Sequence, residues 1–436
     1  MADISAFRGI HFPSERAGGL ALVVAPPYDV ISPDEQVRLY AADPHNVVRV
    51  ILNRSEPGDG AEAPYARAAA HLRAWLGAGI LRQDEAPALY IYRQGFVDRA
   101  DGRTRARTGF FCALRLEPYA AGIVLPHEET RPKAREDRLR LMRETLANVE
   151  PIMALFEDAD GGVRAAMEAV VAREPLLRVD SAGGTHTVWR MADEAAIGRT
   201  VRALADRRVW IADGHHRYET ALTFRGEAAS LGGGPAAESV LTVLVPFEDP
   251  GLLVLPTHRM LRGLSAERLA LLRGEAARWF MVERAEDAEV DPSRRPDAAG
   301  VIRIGLADSA AGWTLTLRDP TALDDLLPGR PAAWRRLDVV ALQTLLLERA
   351  LGISAEGIAT TGDIAFTRDG EEAVRRVRAG EFQVAFLLDL PTARQVRDVA
   401  AAGAKMPAKS TYFYPKLLSG LLMRDLRDGP GGAREG

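Results

Sequence analysis

Apolar residues in this chain come in short runs, each closed by a turn signal. Leu20-Ala21-Leu22-Val23-Val24 stops at Pro26-Pro27, and Val47-Val48-Arg49-Val50-Ile51-Leu52 is rich in β-branched residues, so both predict strands. Between them, Ser32-Pro33-Asp34-Glu35 has the cap and first-turn proline of a helix start. An amphipathic helix is expected from about Tyr65 to Leu76. A strand pair follows, Ala88 to Gln94 and Thr108 to Leu114, joined around Asp101-Gly102. Charge dominates from Glu129 to Met142, which reads as a helix with a solvated face. Arg208-Val209-Trp210-Ile211-Ala212 predicts a strand running into Asp213-Gly214-His215-His216-Arg217, with a helix beginning near Tyr218. Ser239 to Val245 and Leu252 to Leu255 predict two more strands, apolar enough to be central. In the last third, Ile364 to Phe366, Glu371 to Arg378, Phe382 to Leu390 and Pro391 to about Ala402 alternate as strand, helix, strand and helix. Loops are expected at 232–235 and 291–296, and a frayed tail from Gly429.

This succession implies an α/β chain of mixed α+β elements, with sheets covered by helices. At roughly 100–200 residues per domain, a chain of 436 residues holds more than one lobe. The expected division is 1–125, 126–330 and 331–428, with a tail at 429–436; the lobes can equally form one continuous unit. No stretch approaches the roughly 18–20 apolar residues that span a bilayer. The amino end also lacks the pattern of a signal peptide, so a cytoplasmic protein without a membrane partner is expected.

Composition narrows the chemistry. The net charge of −4 argues against a nucleic-acid partner, because phosphate neutralisation dominates that affinity. The single cysteine, Cys112, excludes an intramolecular disulfide and sits in an apolar run, where a buried small hydrophobe is expected. Of 56 basic residues only Lys133, Lys405, Lys409 and Lys416 are lysines. Where arginine is so favoured, a retained lysine suggests a need for a compact, mobile ammonium.

The strongest chemical signal is Asp213-Gly214-His215-His216-Arg217 at a strand-to-helix junction. Gly214 allows a tight turn, and the helix start with Arg217 makes an anion site. His215 and His216 can donate hydrogen bonds or move protons near neutral pH, and Asp213 can orient an imidazole or meet a divalent cation. Zinc is not expected: the two histidines are adjacent, a third ligand would have to be His127 or His258, and no His-Glu-x-x-His motif is present. Leu125-Pro126-His127-Glu128-Glu129-Thr130 offers Glu128 as a general base beside His127, or simply a charged helix cap. Lys405-Met406-Pro407-Ala408-Lys409-Ser410-Thr411-Tyr412-Phe413-Tyr414-Pro415-Lys416 mixes lysines, hydroxyls and aromatic rings in a Pro-limited loop that suits phosphate or carboxylate binding. Tyr28, Asp29, Asn46 and Arg49 lie beside the predicted strands, where they could meet a substrate or serve as turn chemistry.

Taken together, Pro26-Pro27-Tyr28-Asp29-Val30-Ile31, Asn46-Val47-Val48-Arg49, Leu125-Pro126-His127-Glu128, Asp213-Gly214-His215-His216-Arg217-Tyr218 and Lys409 to Lys416 resemble an uncharacterised prokaryotic family, domain-of-unknown-function family 1015. The resemblance covers nearly the whole chain. Locally, Asp213 to Arg217 is similar to the phosphate-binding turn of the ParB/sulfiredoxin superfamily, which includes nucleotide-binding partition proteins, sulfiredoxins and free-serine kinases. Sulfiredoxins carry a catalytic cysteine where this chain has His215, so sulfinic-acid repair is not implied. The kinase resemblance implies that Gly214, His215, His216 and Arg217 bind phosphate, with Asp213 near magnesium and ATP or ADP as cofactor. The expected activity is phosphoryl transfer to or from a small polar molecule, serine or phosphoserine being the most concrete candidate. In that reading Arg217, Lys409, Ser410, Thr411 and Lys416 form the phosphate clamp. His216, His215, His127 and Glu128 supply catalytic groups, and Tyr28, Asp29, Asn46, Arg49 and Tyr412 bind substrate. The alternatives are a nucleotide-responsive regulator without turnover and, third, a metal-dependent hydrolase. Oligomeric state is not legible.

Overall fold

The structure, a computed structural model, describes residues 2–16, 19–98, 101–181, 183–286, 290–291, 301–355 and 363–429. The chain divides into two compact units, Met1–Leu252 with Pro415–Gly436, and Leu253–Tyr414. Positions 125 and 126 fall inside the first unit, and 330 and 331 inside the second. The architecture is mixed α/β, as the alternation of elements predicts. No helix among the described residues is long and apolar enough to cross a membrane.

The main sheet of the first unit runs Val124–Leu125, Val209–Asp213, Ile152–Phe156, Ser239–Pro246, Thr104–Arg115, Leu89–Val97, Gly184–Met191 and Leu177–Ser181. Ile4–Ser5 is added beside Thr104–Arg115. Val209–Asp213 lies parallel to Val124–Leu125, and Ser239–Pro246 parallel to Ile152–Phe156, while the other pairings are antiparallel. The predicted strand pair is here as Leu89–Val97 and Thr104–Arg115, with Ile91 opposite Phe110. Phe110, Cys112, Ile152, Phe156, Tyr218, Phe224 and Leu244 fill the core. Each large apolar side chain so buried is worth about 1.5–3 kcal/mol. Helices Pro132–Thr145 and His215–Arg225 pack against each other. A smaller sheet, Arg82–Gln83, Gly9–His11, Met423–Asp425 and Ala147–Asn148, ties the last segment of the chain to the first.

The second unit is built on an antiparallel sheet ordered Phe280–Ala285, Gly312–Leu317, Arg303–Asp308, Val384–Leu388, His258–Leu261 and Ile364–Thr367. Helix Gly370–Arg378 covers it, with Asp369 accepting the Glu372 N–H as cap.

Several local expectations need correction. Leu20–Leu22 is a 3-10 turn and Val48–Ile51 a one-turn helix, not strands. The cause is the buried Asn46. Its amide donates to the carbonyls of Leu22 (2.7 Å) and Val24 (3.0 Å), and its oxygen accepts the Val48 N–H (2.9 Å). A side chain thus takes the carbonyls that a neighbouring strand would have used and caps a helix instead. Leu253–Leu255 pairs with Tyr412–Tyr414 in a two-stranded ribbon and is not central. The helix after Pro391 begins at Ala393, because Thr392 forms a capping box with Gln395. The helix over the charged stretch exists as Pro132–Thr145, but Arg138 on it is buried rather than solvated. Ser32 caps Pro33–Ala42 as expected, accepting the Glu35 N–H. Residues 292–296 of the expected loop, and 430–436 of the expected tail, lie outside the described residues.

Candidate functional site

The turn is made by three local choices. Strand Val209–Asp213 pairs Ile211 with Ala154 but Asp213 with Met153, so a bulge falls at Ala212. Bulges re-aim the side chains beside them. Gly214 then adopts φ +90°, where a Cβ would stand 2.9 Å from Ile152 Cγ2 and 3.0 Å from Arg217 Nε. Only glycine suits that conformation and that space. The chain therefore reverses within one residue, and the helix starts at His215, not near Tyr218. No side chain caps it, and the Tyr218 N–H bonds the Gly214 carbonyl at 3.0 Å. The N–H groups of His215, His216 and Arg217 consequently have no partner within the helix, which favours an anion in front of them.

Below the turn lies a buried charge array. Asp213 accepts from Arg217 Nη2 (2.9 Å) through one oxygen and from Lys416 Nζ through the other. Burial works to raise the Asp213 carboxyl, yet Lys416 and Arg217 hold it down at about 2. Arg217 also donates to the Pro151 carbonyl. Glu150 accepts the Tyr28 N–H and the Ser419 hydroxyl, each at 3.0 Å, and stands 3.6 Å from Arg138 Nη1. Burial pushes the Glu150 carboxyl up, against the pull of Arg217 and Arg138. Arg138 lies over the Tyr28 ring at 3.9 Å and donates to the Ile51 carbonyl at 2.7 Å. Burial raises the Tyr28 hydroxyl to about 12. Arg138, Glu150 and Arg217 line a cavity of about 30 Å³, room for water and no more.

The histidines are disposed as donors. His215 Nε2 accepts the His127 N–H (3.2 Å), and His216 Nε2 accepts the Arg131 N–H (2.8 Å). A neutral imidazole that accepts at Nε2 carries its proton on Nδ1. Burial keeps both rings below the ordinary histidine range, and the neighbouring His127 adds to the depression at His215. His215 Nδ1 stands 3.7 Å from Glu128 Oε2. The His127 ring meets the His215 ring edge-on at 4.6 Å and bonds the Ile211 carbonyl through Nδ1 at 2.7 Å. Burial depresses His127 as well. Glu128 itself is half-exposed at the edge of this cluster. Beside the turn, Lys133, Arg135, Thr220 and Thr223 line an open groove of about 500 Å³ between the two helices.

The first unit thus brings together Tyr28, Asp29, His127, Glu128, Asp213, Gly214, His215, His216, Arg217 and Lys416. Asp29 is exposed, and its charge bears on Tyr28, Arg217 and His216. Asn46 shapes the backbone as described, and Arg49 lies over the Tyr40 ring at 4.4 Å while bonding the Tyr40 carbonyl. Lys409, Ser410, Thr411 and Tyr412 belong to the second unit. There the Lys409 carbonyl accepts from Arg259 (3.0 Å), Ser410 donates to the Pro407 carbonyl (2.6 Å), and Arg368 covers the Tyr412 ring at 3.5 Å. Both oxygens of Asp213 face cations, Arg217 at one and Lys416 at the other. Among the described residues no three His, Cys, Asp or Glu side chains are grouped to hold a metal ion. Sequence reasoning missed Glu150 and Arg138. The signal for Arg138 was available: it shares a helical face with Leu141, Met142 and Thr145, all buried.

A family model described as "Protein of unknown function (DUF1015)" matches residues 4–340. The chain belongs to that family. No curated protein matches this DUF1015 member. Among solved structures, it is similar to a conserved hypothetical protein from Pyrococcus furiosus, at 15% identity and TM-score 0.33, covering 71% of this chain and 92% of that one. It is also similar to free serine kinase in complex with AMP, at 14% identity and TM-score 0.35, covering 70% and 86%. A third is SbnI with a C-terminal truncation from Staphylococcus aureus, at 13% identity and TM-score 0.35, covering 72% and 86%.

Proposed function

We propose that the first unit binds the phosphate of a nucleotide or phosphorylated metabolite at the start of helix His215–Arg225 and transfers a phosphoryl group to or from a small polar molecule. One observation carries this reading: an uncapped helix N-terminus lies directly over the Asp213–Lys416–Arg217 array. Phosphoryl transfer asks chiefly for positioning and charge stabilisation. The first-turn N–H groups and the Nδ1–H of His216 would hold phosphate oxygens. Lys416, whose ammonium engages Asp213, adds positive charge beside the turn. Glu128 would take the proton of the attacking hydroxyl as its oxygen bonds to phosphorus and the bond to the leaving phosphate oxygen breaks. Serine as acceptor, or phosphoserine as donor, is the substrate to try first.

A second reading, a nucleotide-responsive protein without turnover, is favoured by the mutual neutralisation of Asp213 with its two cations. Phosphorus NMR separates the two. Protein with magnesium, serine and ATP or ADP, or with phosphoserine alone, should give a new phosphoserine or inorganic phosphate resonance. Nucleotide signals that broaden without a new peak would select the second reading, and unchanged spectra would sink both.

A further inference from the structure

Three buried polar side chains stand outside the turn, although the Asp213 charge bears on one of them, Arg107. Tyr92 and Gln94, two residues apart on strand Leu89–Val97, share one face of the main sheet, and Arg107 on Thr104–Arg115 is the cross-strand partner of Gln94. Arg107 is 2% exposed and Gln94 1%. A guanidinium and a carboxamide inside a sheet are costly unless their hydrogen bonds are made.

Their bonds converge on one short stretch of backbone. Arg107 Nη2 donates to the Pro415 carbonyl (2.6 Å) and to Gln94 Oε1 (2.6 Å). Gln94 Nε2 donates to the Lys416 carbonyl at 2.9 Å. The Leu418 backbone hydrogen-bonds the Tyr92 hydroxyl, which is itself 2.6 Å from His186 Nδ1. The carbonyl before Lys416 and its own carbonyl are therefore both gripped. From that fixed backbone the side chain reaches Asp213.

We infer that Gln94 and Arg107 are positioning residues that act through Lys416, aiming its ammonium at Asp213 and at the phosphate site over the turn. This inference rests on the proposed phosphate site and adds to it the means by which a flexible lysine is held in one place. Long side chains lose rotamer freedom when fixed, so a rigid backbone anchor is what lets a lysine act as an oriented point charge.

Because the chain has only four lysines, lysine NMR gives a direct test. Full-length protein labelled with ¹³C at lysine Cε is compared with Arg107→Met, Gln94→Leu, Arg107→Lys and Lys416→Ala, the last assigning the Lys416 signal. In wild type that signal should stand apart from those of Lys133, Lys405 and Lys409. It should collapse towards them in Arg107→Met and Gln94→Leu and be partly restored in Arg107→Lys. Binding of magnesium ADP should weaken by about tenfold in either variant, the size of one charge-assisted hydrogen bond. In the Lys416→Ala background neither substitution should weaken it further. A Lys416 signal that stays in place in folded Arg107→Met and Gln94→Leu overturns the inference, as does further loss of ADP affinity without Lys416. If Arg107→Met does not fold, Gln94→Leu carries the test alone. Should Lys416→Ala leave ADP binding unchanged, the phosphate reading fails, while the lysine signal still decides the positioning role.

Discussion

Lys409 and Lys416 stand seven residues apart, and each has a buried arginine bonded to the backbone at or beside it. Arg259 holds the Lys409 carbonyl, and Arg107 holds the Pro415 carbonyl. There the likeness ends. Lys416 reaches a buried carboxylate that Arg217 also engages, whereas Lys409 is exposed at φ 57°. Bracing the backbone is common to both units; a buried counter-charge belongs to one. An ammonium that must satisfy a buried carboxylate has its geometry specified, and an ammonium in water does not.

Removing that counter-charge should have the largest effect. Asp213→Ala leaves Arg217 buried without its carboxylate, and urea unfolding should show a loss of about 3–5 kcal/mol. A wild-type midpoint would mean that Asp213 does not hold the array together.

Two sets of buried groups, one in each unit, should also answer pH in opposite directions. In the first, burial holds His215 and His127 below the ordinary histidine range. Their contribution to stability is complete above the unfolded value of about 6.5 and is lost as pH falls towards the folded values. In the second, burial raises the Asp338 carboxyl to about 7, although the N–H groups of Asp389 and Val339 bond it. That contribution is complete below the unfolded value of about 3.9 and is lost as pH rises through the folded one. Hydrogen exchange at mildly acid and mildly alkaline pH, corrected for intrinsic rates, should deprotect Val209–Asp213 first in acid and the segment around Asp338 first in base. Asp338→Asn should abolish the alkaline limb.

At the level of binding, Lys416→Ala should weaken magnesium ADP by about tenfold with cooperative unfolding retained. Lys409→Ala measured alongside by calorimetry should change it less than about twofold if the phosphate site is confined to the first unit, an effect below one hydrogen bond. Equal losses would erase the distinction between the lysines. The smallest effect belongs to Lys409→Gly, which relieves a left-handed residue and should stabilise the protein by up to about 1 kcal/mol in thermal unfolding. A loss instead would show that the lysine side chain is held after all.

What the sequence made legible was whatever depends on neighbours along the chain. The paired strands around Asp101-Gly102, the Ser32 cap and the strand ending at Asp213 all follow from local pattern. The Asp213-to-Arg217 turn at a strand-to-helix junction could be read because a glycine sits between the strand and the residues that open the helix. Leu20 to Val24 and Val47 to Leu52 misled because a single amide, Asn46, bonds carbonyls more than twenty residues upstream. Glu150 stayed invisible for the same reason: its partners Tyr28, Arg138 and Ser419 are distant in sequence, and only folding collects them. Of the lysine-rich segment, composition marked both Lys409 and Lys416, but not that the boundary between the two units falls between them.

That boundary has a consequence for how the protein comes into being. The first unit is interrupted at Leu252 and resumes at Pro415, and its smaller sheet is completed by Met423–Asp425 between Gly9–His11 and Ala147–Asn148. A ribosome delivers Asp213 and Arg217 long before it delivers Lys416, and the whole second unit is synthesised in the interval. During that time the carboxylate has one cation, the smaller sheet lacks a strand, and Gln94 and Arg107 have no backbone to grip. The array of Asp213, Arg217 and Lys416 is therefore completed last, after the whole second unit has been made.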